Sequence, residues 1–416
     1  MFNFIRKLIF DKDRRIQAMV CIIALMIGLF WSKVMISTAM LYLTGMTLIN
    51  PYIRNNFKKF IQNRSLLLIT MIFFIYAISG FYSENMDYLS ERLRTKLPFL
   101  MMPFAFASFV PFSRKQYFGM LAFFVFITSI VSAIVLTNYL IHFNEINKGI
   151  KNGEAIPAPM NHIRYSLMCA IAALAGIHLF VSKFYFRWQK EKFIWLLLAG
   201  FLTVVIHVLA VRSGIVGFYC GAIAMLMIYI FRSKRYAIGL GFLAAIIISP
   251  FVAYKTIPSL RDKIGHTKYV LEQFFETNEI HEGHSDQERI LTLKLGIEIG
   301  KQNPLIGVGV GDIKDEMGHR YETYCHECVK KIPHNQFIFV FAGCGLIGVF
   351  LFSVSVFFPL FLKGHFRDPF FLGVSLIMIS SFMWEATIEE QLGSAIYVLF
   401  LLMPLNYFAG KEKSNV

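Results

Sequence analysis

His334 and Asn335 stand where a long polar segment gives way to an apolar run, in the stretch Pro333-His-Asn-Gln-Phe337. Imidazole is the side chain that most readily exchanges a proton near neutral pH. At this position it could take a proton from a hydroxyl in water while facing a group held in lipid. The alternative is structural, with Asn335 capping a helix and His334 meeting lipid headgroups.

Three arginines have the chemistry to hold a phosphorylated group at the same side of the chain. Arg212 adjoins an apolar run, Arg289 begins a predicted polar helix, and Arg164 lies at the start of another apolar run. A guanidinium offers parallel charged donors that match phosphate oxygens and keeps its proton. Arg164 and Arg212 together could form a cationic pocket for a diphosphate. The alternatives are that Arg212 snorkels at an interface and that Arg289 is solvated.

The composition places these residues in a membrane protein. Hydrophobic residues make up 56% of the 416 residues and charged residues 16%, far fewer charges than the roughly 25% usual in soluble domains. Apolar runs of about 17 to 25 residues can cross the hydrocarbon core as helices. We predict an all-α, polytopic protein with about twelve such helices, near residues 16–32, 34–50, 66–82, 97–112, 117–143, 164–182, 193–210, 214–231, 236–257, 335–362, 370–386 and 391–408.

Basic residues cluster in every second connection between these runs, which predicts the topology. They are Arg6, Lys7, Lys12, Arg14, Arg15, Arg54, Lys58, Lys59, Arg64, Arg114, Lys115, Lys183, Arg187, Lys190, Lys192, Arg232, Lys234, Arg235, Lys363, Arg367, Lys411 and Lys413. The positive-inside rule assigns these connections, and both termini, to the cytoplasm. The net charge of +15 is therefore explained by topology, and we do not expect nucleic acid as a partner.

The chain divides into three parts on this reading. Residues 1–257 hold nine spans, residues 258–333 form one large helical loop outside the cytoplasm, and residues 334–416 hold three spans and a short cytoplasmic tail. Two helices are predicted in the loop, at about 260–277 and 286–302, the second ending at Asn303-Pro304. The triplet Gly307, Gly309 and Gly311 lacks the Lys and Ser/Thr of a nucleotide loop and predicts a hinge or a close backbone approach.

Cys325 and Cys328 lie in this loop, where oxidation is permitted. A local disulfide is the first interpretation. A zinc site that includes His319 or His326 has suitable ligand types, although a second cysteine pair is missing. Free thiols are the third alternative.

The string His334-Asn335 followed by Gly345 and Gly348 resembles the His-Asn…Gly-x-x-Gly signature of the O-antigen ligases, and Arg289 with Leu293 fits their Arg-x-x-x-Leu pattern. The resemblance implies a C-type glycosyltransferase of the bacterial inner membrane with its active site facing the periplasm. Its donor would be a polyprenyl diphosphate-linked glycan, and its acceptor a hydroxyl of the lipid A–core of lipopolysaccharide. It would act as a monomer among membrane lipids, with inversion and without a metal or other cofactor.

The same resemblance assigns roles to residues. His334 would be the general base, and Arg212 and Arg289 would complete the catalytic set by holding the diphosphate as charge develops. Candidate substrate-binding residues are Arg164, Asn335, Arg94, Lys96 and Glu385. Glu385, with Glu389 and Glu390, could pair with the arginines or orient His334, but no spacing rule assigns these carboxylates.

Other functions remain open at this point. A related O-antigen polymerase would share the carrier, and Gly300 follows Arg289 at the Arg-x₁₀-Gly spacing of polymerases, although only one large loop is present. A protein O-oligosaccharyltransferase of the same superfamily is a further possibility. A flippase or transporter of lipid-linked glycan belongs to a different class, and should carry charges deeper in its spans. The sequence does not name the glycan or the acceptor sugar.

Overall fold

The computed structural model describes residues 11–277, 285–325 and 328–414, and in these ranges the protein is all-helical, without a strand. The helices are α1 (Asp11–Trp31), α2 (Lys33–Leu48), α3 (Ile53–Gln62), α4 (Arg64–Ser79), α5 (Met86–Ser108), α6 (Arg114–Ile141), α7 (Phe143–Lys151), α8 (His162–Val181), α9 (Lys192–Leu209), α10 (Arg212–Ser233), α11 (Tyr236–Thr256), α12 (Pro258–Thr277), α13 (Ser285–Gln302), α14 (Ile313–Tyr324), α15 (Gln336–Phe361), α16 (Pro369–Trp384) and α17 (Gln391–Ser414). Short 3₁₀ turns cover Gln189–Glu191, Leu362–Arg367 and Thr387–Glu389.

The helices of the described chain make this a multi-pass membrane protein. Eight of them are long and apolar enough to cross a membrane, namely α1, α6, α8, α9, α10, α11, α15 and α17. The pair α2 and α3 passes the same test only when taken together and is bent by 111° between its two helices, and α4 and α16 are shorter apolar helices. Each of the twelve predicted segments overlaps a helix, but the number twelve is not confirmed. A 16-residue helix such as α4 rises about 24 Å, less than the roughly 30 Å of the hydrocarbon core.

Helices α8 and α17 form the centre of the bundle. Of their apolar windows, 83% and 89% of the residues respectively are buried, against 11% for α11 at the periphery. Helix α8 packs against α9, α10, α6 and α16, and α17 packs against α5. The first residues of α8 and α17 are therefore held firmly, and both helices begin near the site described below.

The segment between α11 and α15 folds onto one end of the bundle. Helix α12 packs against α7, and α13 lies along α15. The two helices predicted here are confirmed by α12 and α13. Cys325 and Cys328 form a disulfide, as in the first of the three alternatives, so these sulfurs are not thiolate ligands for zinc. His326 lies outside the described residues, and within them no group of three His, Cys, Asp or Glu side chains is placed to hold a metal.

Helix α15 is broken at Gly345, whose φ of 62° and ψ of −165° are not helical. Residues 304–309 lie along the break and satisfy its backbone. The N–H of Val308 donates to the carbonyl of Ala342 (2.9 Å), and the N–H of Leu346 donates to the carbonyl of Pro304 (2.8 Å). A Cβ on Gly345 would lie 2.3 Å from the carbonyl carbon of Leu305. The glycine of the signature is thus required by backbone packed directly on backbone.

Candidate functional site

Asn335 fixes the chain at the start of α15. Its Oδ1 accepts hydrogen bonds from the N–H groups of Phe337 (2.9 Å) and Ile338 (3.0 Å), which are otherwise unpaired at a helix N-terminus. Its Nδ2 donates to the carbonyl of Met383 (3.0 Å) at the end of α16. Asn335 therefore joins two helix ends, and this arrangement gives it a positioning role next to His334.

His334 shares one carboxylate with Arg289. The Nδ1 atom of His334 lies 3.0 Å from Oε2 of Glu385, and Nη2 of Arg289 lies 2.7 Å from Oε1 of the same group. Burial alone would raise the pKa of Glu385, but the hydrogen bond with His334 and the charge of Arg289 bring that pKa below its ordinary value. With Nδ1 donating to the ionised carboxylate, Nε2 is the ring atom that can accept a proton.

Arg212 is held in a second ion pair. Its Nη1 and Nη2 donate to the two carboxylate oxygens of Asp286, each at 2.7 Å, and Nη2 also donates to the hydroxyl of Thr267. Burial raises the pKa of Asp286, but the hydrogen bonds and charge of Arg212 outweigh burial and lower it. In the sequence, Asp286 is visible only as a residue in the first turn of a helix. The structure shows that it orients one of the predicted catalytic arginines.

These side chains line a cavity of about 270 Å³. The charged and aromatic residues that line it are Glu154, His162, Arg212, Lys263, Asp286, Arg289, Lys331, His334, Trp384 and Glu385. Four of them are lysine or arginine and three are carboxylates, so the cavity is electropositive. The structure thus brings together four of the predicted site residues, His334, Arg212, Arg289 and Glu385.

Lys263 and Lys331 belong to the cavity but were not identified from the sequence. The ammonium of Lys263 donates to the carbonyls of Gly153 and Glu154. Burial lowers the pKa of Lys263, and the charges of Arg212 and Arg289 lower it further, against the opposite effect of Asp286. Lys331 pairs with Glu288. Both lysines stand in polar segments with many charges, so nothing in their spacing distinguishes them from solvated residues.

Arg164 is buried close to the cavity but does not line it. Its side chain is 3% exposed, and its Nε lies 3.7 Å from the carboxylate of Glu390. Neither Nε nor Nη1 of Arg164 has a hydrogen-bond partner among the described residues. A buried guanidinium with unused donors is costly unless an anion meets it.

Lys96 faces away from the cavity. Its fully buried ammonium donates to Glu389 Oε2 (2.9 Å) and to the carbonyl of Ile388 (2.8 Å). Glu389 in turn accepts hydrogen bonds from the hydroxyl of Tyr76 (2.5 Å) and from Nε2 of Gln336 (2.7 Å). Lys96 therefore ties α5 to the turn before α17 and to the start of α15, which is a structural role.

Arg94 lines a different, shallow cavity of about 290 Å³ with Ser37 and Gln391. The two candidates from α5 are thus not brought to the cavity that holds His334. The sequence identified them by charge, and charge does not reveal which face of a helix packs against which neighbour.

The three glutamates of the short turn 385–390 each pair with cationic side chains, and Glu385 is the one that reaches the cavity. Glu385 contacts His334 and Arg289, Glu389 contacts Lys96, and Glu390 contacts Arg164. The sequence predicted that these carboxylates could pair with arginines or orient His334. For Glu385 the geometry shows both contacts at once.

Comparison with known proteins connects this geometry to a family. Residues 195–353 match the family model described as O-Antigen ligase. The matched segment contains Arg212, Lys263, Asp286, Arg289 and His334, whereas Glu385 and Arg164 lie outside it. A search of curated proteins finds no match to this chain.

Proposed function

We propose that this chain is an inverting, metal-independent membrane glycosyltransferase, and the match of residues 195–353 to the O-antigen ligase family model supports this proposal. It transfers a glycan from a polyprenyl diphosphate carrier to a hydroxyl of the lipid A–core of lipopolysaccharide. The observation that carries the proposal is the contact of His334 and Arg289 with one buried carboxylate inside an electropositive cavity.

His334 acts as the general base in this proposal. Glu385 holds Nδ1, so Nε2 accepts the proton of the acceptor hydroxyl while its oxygen attacks the anomeric carbon. The bond from that carbon to the diphosphate oxygen breaks, and the electron pair leaves with the diphosphate. Attack opposite to the leaving group inverts the anomeric configuration.

The arginines stabilise the leaving group. Asp286 and Glu385 orient Arg212 and Arg289 and leave further N–H groups of each guanidinium for phosphate oxygens. Donors fixed in advance around developing charge supply a large share of catalysis in many enzymes.

The Arg289–Gly300 spacing, which O-antigen polymerases also show, has a packing explanation in this structure. A Cβ on Gly300 would lie 2.4 Å from the ring of Phe341, so a glycine is needed where α13 packs against α15. A ligase needs this close contact as much as a polymerase does. The Arg289–Gly300 spacing therefore does not favour polymerisation, and we keep the ligase as the proposed function.

The direct test uses purified protein with carrier-linked glycan and lipid A–core acceptor, with a chelator present. His334→Ala should lose about 10²- to 10⁴-fold in transfer rate and still bind the donor. His142→Ala is the matched control, because His142 is a half-exposed histidine outside the cavity. Full activity in His334→Ala would exclude the base role, and loss of activity on chelation would exclude a metal-free reaction.

The arginines are tested in the same assay. Arg289→Ala and Arg212→Ala should abolish transfer, and the Lys variants should recover only part of it, because an ammonium cannot reproduce the planar fork. Arg261→Ala is the control, since Arg261 is an exposed residue of α12. Growth of the glycan on its carrier, rather than on the acceptor, would identify a polymerase instead.

A further inference from the structure

A second polar cavity lies at the end of the bundle opposite His334. Its volume is about 400 Å³, and it is enclosed by α3, the start of α4, the end of α5 and the C-terminal half of α17. Its polar lining includes Asn50, Asn55, Asn56, Lys59, Asn63 and Asn406. Among the residues that the structure describes, no carboxylate lines it.

This cavity is separate from the catalytic one. Helix α17 begins at Gln391, beside the turn that holds Glu385, and reaches this cavity at Asn406. Fifteen helical residues rise about 22 Å. Helix α4 spans the same distance in the opposite direction, since Asn63 at its start lines the cavity.

The lining offers a buried N–H donor and one positive charge. Asn56 is 2% exposed, and its Nδ2 has no hydrogen-bond partner among the described residues. A buried N–H₂ group of this kind is costly unless an acceptor reaches it. Lys59 supplies the charge, and it has no ion pair in the described part of the chain. The N-terminus of α4, beside Asn63, adds the positive end of a helix dipole.

Helix α3 indicates where that anion comes from. It turns 111° away from α2 and carries exposed Ile53, Phe57 and Ile61 together with exposed Arg54 and Lys58. A short helix with basic and apolar surfaces of this type lies in the plane of a membrane interface. Clustered lysine and arginine at that level attract anionic lipids.

We propose that this cavity binds the phosphate-bearing headgroup of an anionic phospholipid. Lys59 pairs with the phosphate, the amide of Asn56 donates to a phosphate or glycerol oxygen, and the acyl chains lie beside the apolar surface of α3. Because no carboxylate of the described residues lines the cavity, a zwitterionic headgroup would bring a cationic group that finds no anionic partner there. The inference is independent of the proposed glycosyl transfer.

The test measures lipid binding to the full-length protein in a neutral detergent. The lipids are phosphatidylglycerol and phosphatidylcholine, with inorganic phosphate as the free anion, and the readouts are Tm and lipid retention by native mass spectrometry. Phosphatidylglycerol should raise Tm and remain bound. Lys59→Gln should weaken its binding about fivefold, as expected for the loss of one lysine near an anionic surface.

Two further variants complete the test. Asn56→Leu removes the unpartnered donor at similar volume and should also weaken binding of phosphatidylglycerol. Lys190→Gln is the matched control, because Lys190 is exposed and does not line this cavity, and this variant should bind phosphatidylglycerol as tightly as the wild type does. Because Lys59 is exposed, Lys59→Gln should fold like the wild type. It therefore tests the site even if Asn56→Leu fails to fold.

Three outcomes would overturn the proposal. Equal stabilisation by phosphatidylcholine would remove the argument from charge. Binding of inorganic phosphate as tight as that of the lipid would assign the site to the free anion instead. Unchanged lipid binding in Lys59→Gln would show that the lipid lies elsewhere.

Discussion

Glu385 joins two residues that are far apart in the chain, since 51 residues separate it from His334 and 96 from Arg289. One oxygen faces the imidazole and the other faces the guanidinium. The carboxylate therefore sets the orientation of the proposed base and of one phosphate-binding residue together. Its contribution to catalysis should exceed what either contact alone would suggest, because the two contacts are lost at the same time.

Glu385→Gln should reduce kcat about 10- to 100-fold while changing KM for the donor less, because oriented bases lose this much when their partner is altered. The amide keeps the shape of the carboxylate but not its charge, so it holds the Nδ1–H group of His334 and the guanidinium of Arg289 less firmly. The measurement is kcat and KM for the purified variant, with Glu145→Gln at an exposed position of α7 as control. A normal kcat in Glu385→Gln would contradict the role of Glu385.

At the scale of single elements, α13 holds more of the catalytic side chains in place than any other described helix. Asp286 contacts Arg212, Arg289 contacts Glu385, and the hydroxyl of Thr292 accepts from the backbone N–H of His334 (3.3 Å). The three residues are spaced by three along one side of the helix. A shift of α13 would therefore disturb both arginines and the histidine in one movement.

The Arg212–Asp286 pair should make stability depend on pH. The pKa of Asp286 is lowered in the folded protein, so its contribution is present above the unfolded carboxyl pKa, near 4, and is lost as pH falls through the lower folded value. Asp286→Asn should therefore lower Tm at pH 7, and the difference from wild type should shrink as the pH falls below about 4. Glu272→Gln, at an exposed pair of α12, should give a small, similar change throughout. A constant deficit for Asp286→Asn would contradict the argument.

The break in α15 gives a prediction about glycine. Gly345→Ala puts a Cβ 2.3 Å from the Leu305 carbonyl carbon at a φ of +62°, and should cost about 3 kcal/mol or more through strain and overpacking. Gly200→Ala is the control, since nothing lies within 4 Å of a Cβ there, and it should leave stability unchanged or raised. Thermal unfolding in detergent measures both, and equal Tm values for the two variants would contradict the packing explanation.

The comparison of sequence with structure follows from these elements. Helices α12 and α13, and the grouping of His334 with Arg212 and Arg289, could be predicted because hydrophobic periodicity, helix-end residues and a local motif signal them. Asp286, Lys263 and the role of Glu385 could not, because their partners are distant in sequence. Arg94 and Lys96 were grouped with the site by charge, whereas helix packing turns Lys96 toward Glu389. The break at Gly345 leaves no trace in hydropathy.

At the scale of the whole molecule, charge distribution and cavities define two different ends. The end with His334 carries the folded segment with α12, α13 and α14, and its disulfide suits an oxidising compartment. The opposite end carries the basic helix α3 and the asparagine-lined cavity. The difference between the two ends fits the orientation predicted from the sequence, with glycosyl transfer on the periplasmic side and both termini in the cytoplasm.

Labelling of single introduced cysteines tests that orientation. Lys268→Cys on α12 and Lys190→Cys near the start of α9 both replace exposed residues. In intact spheroplasts, an impermeant thiol reagent should label Lys268→Cys above the background of the wild type, and should reach Lys190→Cys only after lysis. Labelling in the reverse order would overturn the topology and, with it, the periplasmic site.

The backbone pairing between residues 304–309 and the break in α15 has a consequence for biogenesis. Carbonyl and N–H groups left open at Gly345 cannot be exposed to lipid tails without a large penalty, and their partners come from outside the helix. The part of α15 between Gln336 and the break at Gly345 therefore cannot adopt its final, broken form in the bilayer before residues 304–309 pair with it. Residues 304–309 leave the ribosome first, so the protein must keep them at the membrane until the helix they complete arrives.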